Sequence, residues 1–143
     1  MNVLFYLPVT SEIDPKIQEV VEMAGSMAKT EVFQNIEDLS SRLRRPADGF
    51  VIAFLVAGSK KELLDIVSIR HLLSDIPVIL VLPDRQNETI VAGHKLYPRF
   101  LTYVDSNLTE VGAVLEKILQ NYEKKELIEK REIDSGCELL VTH

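Results

Sequence analysis

The apolar and polar positions of this chain fall into blocks, and two of the blocks are apolar throughout. Residues 49–58 read Gly-Phe-Val-Ile-Ala-Phe-Leu-Val-Ala-Gly, and residues 76–83 read Ile-Pro-Val-Ile-Leu-Val-Leu-Pro. A half-exposed strand alternates between apolar and polar residues, so continuous runs predict strands that helices cover on both faces. A helical pattern separates the two runs, which predicts a βαβ unit and a parallel sheet.

The remaining blocks predict three more strands and a regular alternation with helices. The other strands are expected at residues 2–7, 30–34 and 99–104, and the second is polar enough to lie at a sheet edge. The two apolar runs belong in the middle of the sheet, which favours the strand order 2-1-3-4-5. The predicted fold is an α/β class, three-layer α/β/α sandwich around a five-stranded parallel sheet.

Each predicted helix has a start signal or one apolar face. Asp14-Pro15 and Asn35 read as helix starts, and Ser59 with Glu62 and Asn107 with Glu110 read as capping boxes. A weak helix is expected at residues 88–97. The apolar faces of the first, third and last helices are predicted to comprise Ile17, Val20, Val21, Ala24 and Ala28; Leu63, Ile66, Val67, Leu72 and Leu73; and Val111, Val114, Leu115, Ile118, Leu119 and Tyr122.

The chain continues beyond the last predicted packing position. We expect a domain at residues 1–122 and a helical extension with a short tail at 123–143, since residues 123–132 favour a helix. Residues 137–141 read as a short strand, which is not stable alone. It either packs on its own domain, adds to a sheet edge of another chain or stays disordered. Two interpretations of this extension remain: a homodimer that forms through the last helix or the tail, and a frayed helix end.

Composition and charge narrow the classes of partner. The 143 residues carry a formal net charge of −6, which argues against nucleic acid as a partner. The small cluster at Arg42, Arg44 and Arg45 reads as a solvated helix end. Cys137 is the only cysteine, which excludes an internal disulfide and favours a cytoplasmic location. The start lacks signal-peptide features, and no apolar run approaches the ~20 residues of a membrane span, so no membrane partner is expected.

The alternation and strand order from residue 2 to about residue 122 resemble the receiver domain of two-component response regulators. The resemblance implies acidic Mg²⁺ ligands after the first strand and a phosphoacceptor aspartate after the third. It also implies a Ser or Thr after the fourth strand and a Lys after the fifth. This chemistry needs a carboxylate nucleophile, a cation that offsets charge and donors to the transferred oxygens.

The residues at those positions do not match the family pattern. The acidic positions fall on Tyr6, Leu7 and Pro8, and the phosphoacceptor falls within residues 53–55, where no carboxylate exists. The Ser/Thr position falls on about Leu82, and the Lys-Pro pair falls on about Tyr103 and Val104, although Pro77 matches a proline that often opens the fourth strand. The sequence therefore predicts a degenerate receiver that is not phosphorylated in the usual way and needs no cofactor.

The first functional hypothesis is a non-enzymatic, receiver-like signalling module that binds another signalling protein. The resemblance implies a partner surface on the fourth helix, fifth strand and fifth helix. The candidate partner-binding residues are Tyr97, Tyr103, Val104 and Tyr122. Buried packing is the alternative interpretation of each of these four residues.

The second hypothesis is a small-ligand or nucleotide/phosphate-binding flavodoxin-like domain. Ligands of open α/β sheets bind beyond the carboxyl ends of the strands. Gly58, Ser59 and Lys60 open a helix with free amides and a cation, and Asp84 lies on the same predicted rim. The motif is not a P-loop, which needs an earlier glycine and a longer cradle.

Acidic and histidine residues leave weaker alternatives. Glu12 or Asp14 with Asp84 would form a displaced Mg²⁺ site, and Asp105 also falls on the rim; capping and solvated turns explain the same residues. His71 is predicted on the third helix as a surface residue, and the three histidines lack metal-ligand spacing. An enzyme with an unfamiliar carboxylate site is the third class, although no convergent titratable groups support it.

Overall fold

A computed structural model describes residues 2–8, 15–45, 49–104 and 108–134. The strands are β1 Asn2–Tyr6, β2 Lys29–Phe33, β3 Val51–Val56, β4 Val78–Leu82 and β5 Phe100–Tyr103. The helices are α1 Pro15–Met27, α2 Ile36–Arg44, α3 Lys60–Ser68, α4 Asn87–His94 and α5 Leu108–Asp134, and a 3₁₀ turn spans Arg70–Leu72.

The five strands form one parallel sheet in the order β2-β1-β3-β4-β5, which confirms the predicted topology and flavodoxin-like α/β fold. All residues of β3 and β4 are buried, as their continuous apolar runs predict. Strand β2 lies at one edge and is mostly exposed or half-buried, as its polar pattern predicts.

Alternate strand residues point to the two faces of the sheet and build two core layers. One layer contains Leu4, Leu55 and Leu80 and packs on α2, α3 and α4. The other contains Phe5, Phe54 and Val81 and packs on α1 and α5. Helices α1 and α5 lie close together, since a Cβ atom placed on Gly112 would be 3.0 Å from Val20 Cγ2. The two layers make the three-layer sandwich.

The described helix caps confirm two of the predicted starts. Asn35 Oδ1 accepts a hydrogen bond of 2.8 Å from the backbone N–H of Asp38. Ser59 Oγ accepts from the backbone N–H of Glu62 at 3.2 Å, and the Glu62 carboxylate accepts from the backbone N–H of Gly58 at 2.9 Å. The predicted caps Asp14 and Asn107 lie outside the described residues.

Helix α3 is shorter than its apolar pattern predicts. It ends at Ser68, and the backbone then tightens to three-residue hydrogen bonds, from Leu72 N–H to Ile69 O at 2.9 Å and from Leu73 N–H to Arg70 O at 3.0 Å. The placement of His71 and Leu72 on the third helix is therefore wrong, because both lie in the 3₁₀ turn. Leu73 is nevertheless buried, since the tighter turn still directs it to the core.

Helix α5 continues without a break beyond Tyr122 to Asp134. Tyr122 stacks on Phe50 with ring centroids 4.1 Å apart and planes inclined by 15°. The 12 residues after Tyr122 add about 18 Å of helix. The predicted short strand at 137–141 lies outside the described residues, and the domain boundary at residue 122 stays a prediction.

Candidate functional site

A crevice opens at the carboxyl ends of β1, β2 and β3. This is where the strand order reverses, since β1 lies between β2 and β3, and ligands of doubly wound sheets bind at such points. Its volume is about 560 Å³, within the range of small-molecule pockets. We call it the switch crevice, and its lining comprises Tyr6, Pro8, Gln34, Asn35, Ile36, Glu37, Gly58, Ser59, Lys61, Glu62 and Asp65.

Tyr6 places a phenol on the floor of the switch crevice. The residue is 3% exposed, and its side chain is part of the crevice lining. Burial is the largest cause that raises the pKa of Tyr6, and the negative charges of Glu62, Asp65 and Glu37 act in the same direction, so that the pKa is about 12. The phenol therefore stays protonated at neutral pH and offers a hydrogen-bond donor inside an acidic crevice.

The predicted anion-binding groups at the start of α3 are already engaged with other groups. The Gly58 amide donates to the Glu62 carboxylate, and the Ser59 hydroxyl caps the Glu62 amide. The Lys60 ammonium forms an ion pair with the Glu88 carboxylate. The hydrogen bond and charge of Lys60 lower the pKa of Glu88. An anion at this helix start would have to displace these internal partners.

Asp84 lies in the turn between β4 and α4, and its carboxylate accepts a hydrogen bond of 2.9 Å from the backbone N–H of Gln86. The pKa of Asp84 is lowered, and the Thr89 hydroxyl beside it is the largest cause, followed by the Gln86 amide; the charge of Lys60 also contributes. The Thr89 side chain is fully buried and has no hydrogen bond of ordinary geometry within the described residues. Asp84 is therefore held as a carboxylate in its own turn.

The carboxyl ends of the described strands are apolar where the family chemistry needs charged groups. Strand β1 ends in Tyr6, with Leu7 and Pro8 after it, and β3 ends in Val56, with the buried Ala57 after it. The residues at the end of β3 provide no carboxylate. These described side chains do not fit a Mg²⁺ ion, which prefers oxygen ligands.

The predicted partner-binding residues do not form one patch. Tyr97 precedes β5 and Tyr103 ends it, so the two tyrosines lie at opposite ends of that strand, up to about 20 Å apart. Tyr103 is half-buried, with the Arg85 guanidinium 4.3 Å from its ring centroid, and its neighbour Val104 is 38% exposed. Tyr122 is stacked on Phe50, which agrees with the packing interpretation.

Most of the acidic residues considered for a displaced Mg²⁺ site lie outside the part of the chain that the structure describes. Glu12, Asp14 and Asp105 lie outside the described residues. Among the residues that the structure describes, no three His, Cys, Asp or Glu side chains come together as metal ligands. None of the described helices is long and apolar enough to cross a membrane.

Sequence reasoning missed the acidic lining of the switch crevice and the role of Tyr6 in it. From the sequence, Tyr6 is identified only as a residue that stands where the receiver family has an acidic residue. The available signal was a phenol at the end of an otherwise aliphatic and aromatic strand, since the residues that face it are distant in sequence. Their convergence depends on the order of β2, β1 and β3.

Comparison with known proteins supports the fold and adds no sequence family. No family model matches the chain, and no curated protein matches it. A solved structure, the response regulator receiver domain protein (CheY-like) from Methanospirillum hungatei JF-1, is similar with a TM-score of 0.62. The match covers 87% of this chain and 97% of that chain at 13% sequence identity. The chain therefore has the fold of a CheY-like receiver domain.

Proposed function

We propose that this protein is a receiver-like signalling module that acts by binding another protein, without aspartate phosphorylation and without enzymatic activity. The observation that carries the proposal is the sequence at the end of β3, because residues 53–57, which include the predicted phosphoacceptor position, contain no carboxylate. Transfer to aspartate requires that nucleophile together with a cation. The fold is kept and the reactive groups are lacking, which supports a role in binding.

Native mass spectrometry with Mg²⁺ and acetyl phosphate tests the chemical half of this proposal. We expect no phosphoryl adduct under conditions in which an active receiver domain, used as the positive control, is modified. An adduct would contradict the proposal. The variant Asp84→Asn would then show whether Asp84, a carboxylate of the turn that follows β4, accepts the group.

The binding half of the proposal places a protein partner at the carboxyl end of β5. Tyr103 and Val104 are partly exposed there, and among the described strands β5 lies at the edge of the sheet, with a neighbour on one side only. A photo-crosslinking residue in place of Tyr103 should give a discrete adduct in cells. The same residue in place of Leu64, which is 50% exposed on α3, is the control. Equal labelling from both positions would count against this surface, as would unchanged partner binding by Tyr103→Ala.

The proposed module is cytoplasmic and forms a homodimer through α5 or the tail at 123–143. The length of α5, which extends about 18 Å past its last described core contact, supports this assembly. Sedimentation velocity of the full chain should show a dimer that dissociates on dilution. A monomer at every concentration would remove the dimer from the proposal and leave the rest intact.

A second candidate function is the binding of a small ligand in the switch crevice. The buried Tyr6 phenol in the lining favours it, because its hydroxyl can donate a hydrogen bond to a ligand. Glu37, Glu62 and Asp65 outnumber Lys61 in the lining, so a neutral or cationic ligand fits better than a nucleotide or phosphate. Thermal shifts with amines that Tyr6→Phe abolishes would support it; shifts with nucleotides alone would restore the phosphate hypothesis.

A further inference from the structure

A second cavity opens near the amino-terminal ends of β4 and β5. The switch crevice lies at the opposite, carboxyl ends of the strands. The 3₁₀ turn and the turn at 73–76 form one wall, and the end of α4 forms the other. Its volume is about 710 Å³, which suits a small molecule. We call it the basal cavity, and its lining comprises Arg70, His71, Leu73, Ser74, Ile76, Lys95, Leu96 and Tyr97.

The charged lining of the basal cavity is entirely basic. Arg70, His71 and Lys95 face it, and no Asp or Glu is among its lining residues. The ion pairs Arg42–Glu31 and Lys60–Glu88 include none of these three residues. Arg70 uses Nη1 to donate to the backbone carbonyl of Val67 at 3.2 Å, which leaves other N–H groups of the guanidinium for a ligand. In a chain of net charge −6, this local excess of cations favours an anion.

The inner wall of the basal cavity is apolar. Leu73 is 2% exposed and Leu96 is 5% exposed, and Ile76 is half-buried between the turn and β4. A bare inorganic anion would leave this surface in contact with water. An organic anion would cover it with an apolar or aromatic body while its charge lies among the basic side chains.

Tyr97 stands at the mouth of the cavity in a backbone conformation that tyrosine seldom adopts. Its φ angle is 48°, and no other described residue apart from a glycine has a positive φ. Glycine or asparagine usually occupies such a position after a helix, and here the Tyr97 amide closes the end of α4 by donating to His94 O at 3.1 Å. The side chain is 90% exposed, so packing does not explain the ring. Unfavourable backbone conformations are concentrated at binding sites.

We propose that the basal cavity binds a small aromatic anion, a carboxylate or a phosphate ester. The charged group lies among Arg70, His71 and Lys95, and the ring lies between the apolar wall and the Tyr97 ring. The structure assigns this site from charge, shape and backbone conformation together. It is independent of the proposed function, because none of its residues lies at the carboxyl ends of the strands.

An NMR titration of the isotope-labelled full chain tests the proposal with defined probes. Phenyl phosphate should produce saturable shifts of backbone amide signals in residues 70–76 and 95–97. Benzoate distinguishes a carboxylate from a phosphate preference, and benzylamine is the cation of similar size and should produce no such shifts. Absence of saturable shifts with both anions, or equal binding of benzylamine, would overturn the proposal.

Three variants separate binding from folding. Arg70→Gln combined with Lys95→Gln should weaken phenyl phosphate binding about tenfold or more, since each removes a charged donor. Both residues are exposed, so the spectrum should keep its native dispersion; if it does not, Lys95→Gln alone is the test. Tyr97→Asn should weaken binding about threefold without lowering the melting temperature.

The matched control is Lys61→Gln, which removes an exposed cation from the switch crevice. It should leave phenyl phosphate binding within twofold of the unchanged protein. An equal loss of affinity in Lys61→Gln and in the basal variants would show a response to net charge alone and would refute the site.

Discussion

The switch crevice lies at the carboxyl ends of the strands and the basal cavity at their amino-terminal ends, and the two sites differ in charge. The crevice is lined by Glu37, Glu62 and Asp65, and the cavity by Arg70, His71 and Lys95. Part of this separation follows from the polarity of helices, since acids favour helix starts and bases favour helix ends. Segment 60–72 contains α3 and the 3₁₀ turn and contributes acidic residues to one edge and basic residues to the other.

The two regions also differ in how far their charged groups are already satisfied. At the crevice rim, Glu62 binds the Gly58 amide and Lys60 pairs with Glu88. At the basal cavity, the described ion pairs include none of the three basic side chains. Charge by itself therefore does not distinguish a binding site from a helix end. The presence or absence of internal partners distinguishes the two. Four experiments test the comparison between the switch crevice and the basal cavity.

The largest effect is expected from Gly93→Val, because α4 packs closely on β4 and its end borders the basal cavity. A Cβ atom at Gly93 would lie 3.1 Å from Leu82 Cδ2 and 3.2 Å from Leu80 Cδ2. Overpacking against these buried strand residues should lower the free energy of unfolding by about 3 kcal/mol in urea denaturation. Gly25→Val is the control, since its nearest neighbour is 3.8 Å away; it should change stability by about 0.5 kcal/mol or less. Equal losses would show that α4 is not packed as described.

The second experiment raises the pH to isolate Tyr6. The folded pKa of Tyr6 is about 12, against 10.0 for a free tyrosine. The unfolded state therefore loses this proton first, so stability is complete below pH 10 and falls as the pH rises towards 12. The loss should reach roughly 2 kcal/mol by pH 12.

Tyr6→Phe is the control, because it removes the titrating group and keeps the ring. The unchanged protein should lose more stability than this variant between pH 8 and pH 11 in urea denaturation. Ultraviolet titration should also show one tyrosine that ionises after the others, and the variant should lack it. Simultaneous ionisation of all tyrosines would contradict the buried phenol in the switch crevice.

The third experiment examines the basal cavity through the backbone of Tyr97. Tyr97→Asn introduces a residue that tolerates positive φ better than tyrosine does, so it should raise the free energy of unfolding by about 1 kcal/mol. The same change at Tyr103, at the other end of β5, should lower it by about 1 to 2 kcal/mol because that ring is half-buried under Arg85. A loss of stability in Tyr97→Asn would mean that the exposed ring contributes packing.

The smallest effect is expected from Lys60→Gln at the crevice rim. Removal of this cation should return the pKa of Glu88 towards its ordinary value, and Asp84 should respond less because Thr89 and Gln86 dominate its shift. Depressed carboxyl pKa values stabilise the fold above the unfolded pKa, and this contribution is lost as pH falls through the folded value. Carbon NMR titration of the two carboxyl groups measures the change, and Lys61→Gln should leave both titrations unaltered.

The strands were predictable from sequence because β3 and β4 have no polar interruption and β2 alternates. The end of α3 was not, because residues 66–73 keep helical apolar spacing and contain neither Gly nor Pro, while the backbone changes to three-residue hydrogen bonds. The helix that is expected to be weak at residues 88–97 contains Gly93, and in the structure this glycine allows close packing of α4 on Leu80 and Leu82.

The candidate site was predictable only in its location. Ligands of such sheets bind at the carboxyl ends of the strands, and this rule predicts Gly58, Ser59 and Lys60 as candidate ligand-binding residues. Their internal partners were not predictable, since Lys60 and Glu88 are separated by 28 positions. The basal cavity had no sequence signal, because the positive φ of Tyr97 and the meeting of Arg70 with Lys95 exist only in the folded chain.

The contact between α1 and α5 has a consequence for synthesis of the chain on the ribosome. The face of β1 and β3 that bears Phe5 and Phe54 is covered jointly by these two helices. Chains emerge from the amino terminus, and α5 is the last described element to emerge. Part of that apolar face stays uncovered until α5 has left the ribosome, so a nascent chain without α5 should be the species most in need of a chaperone.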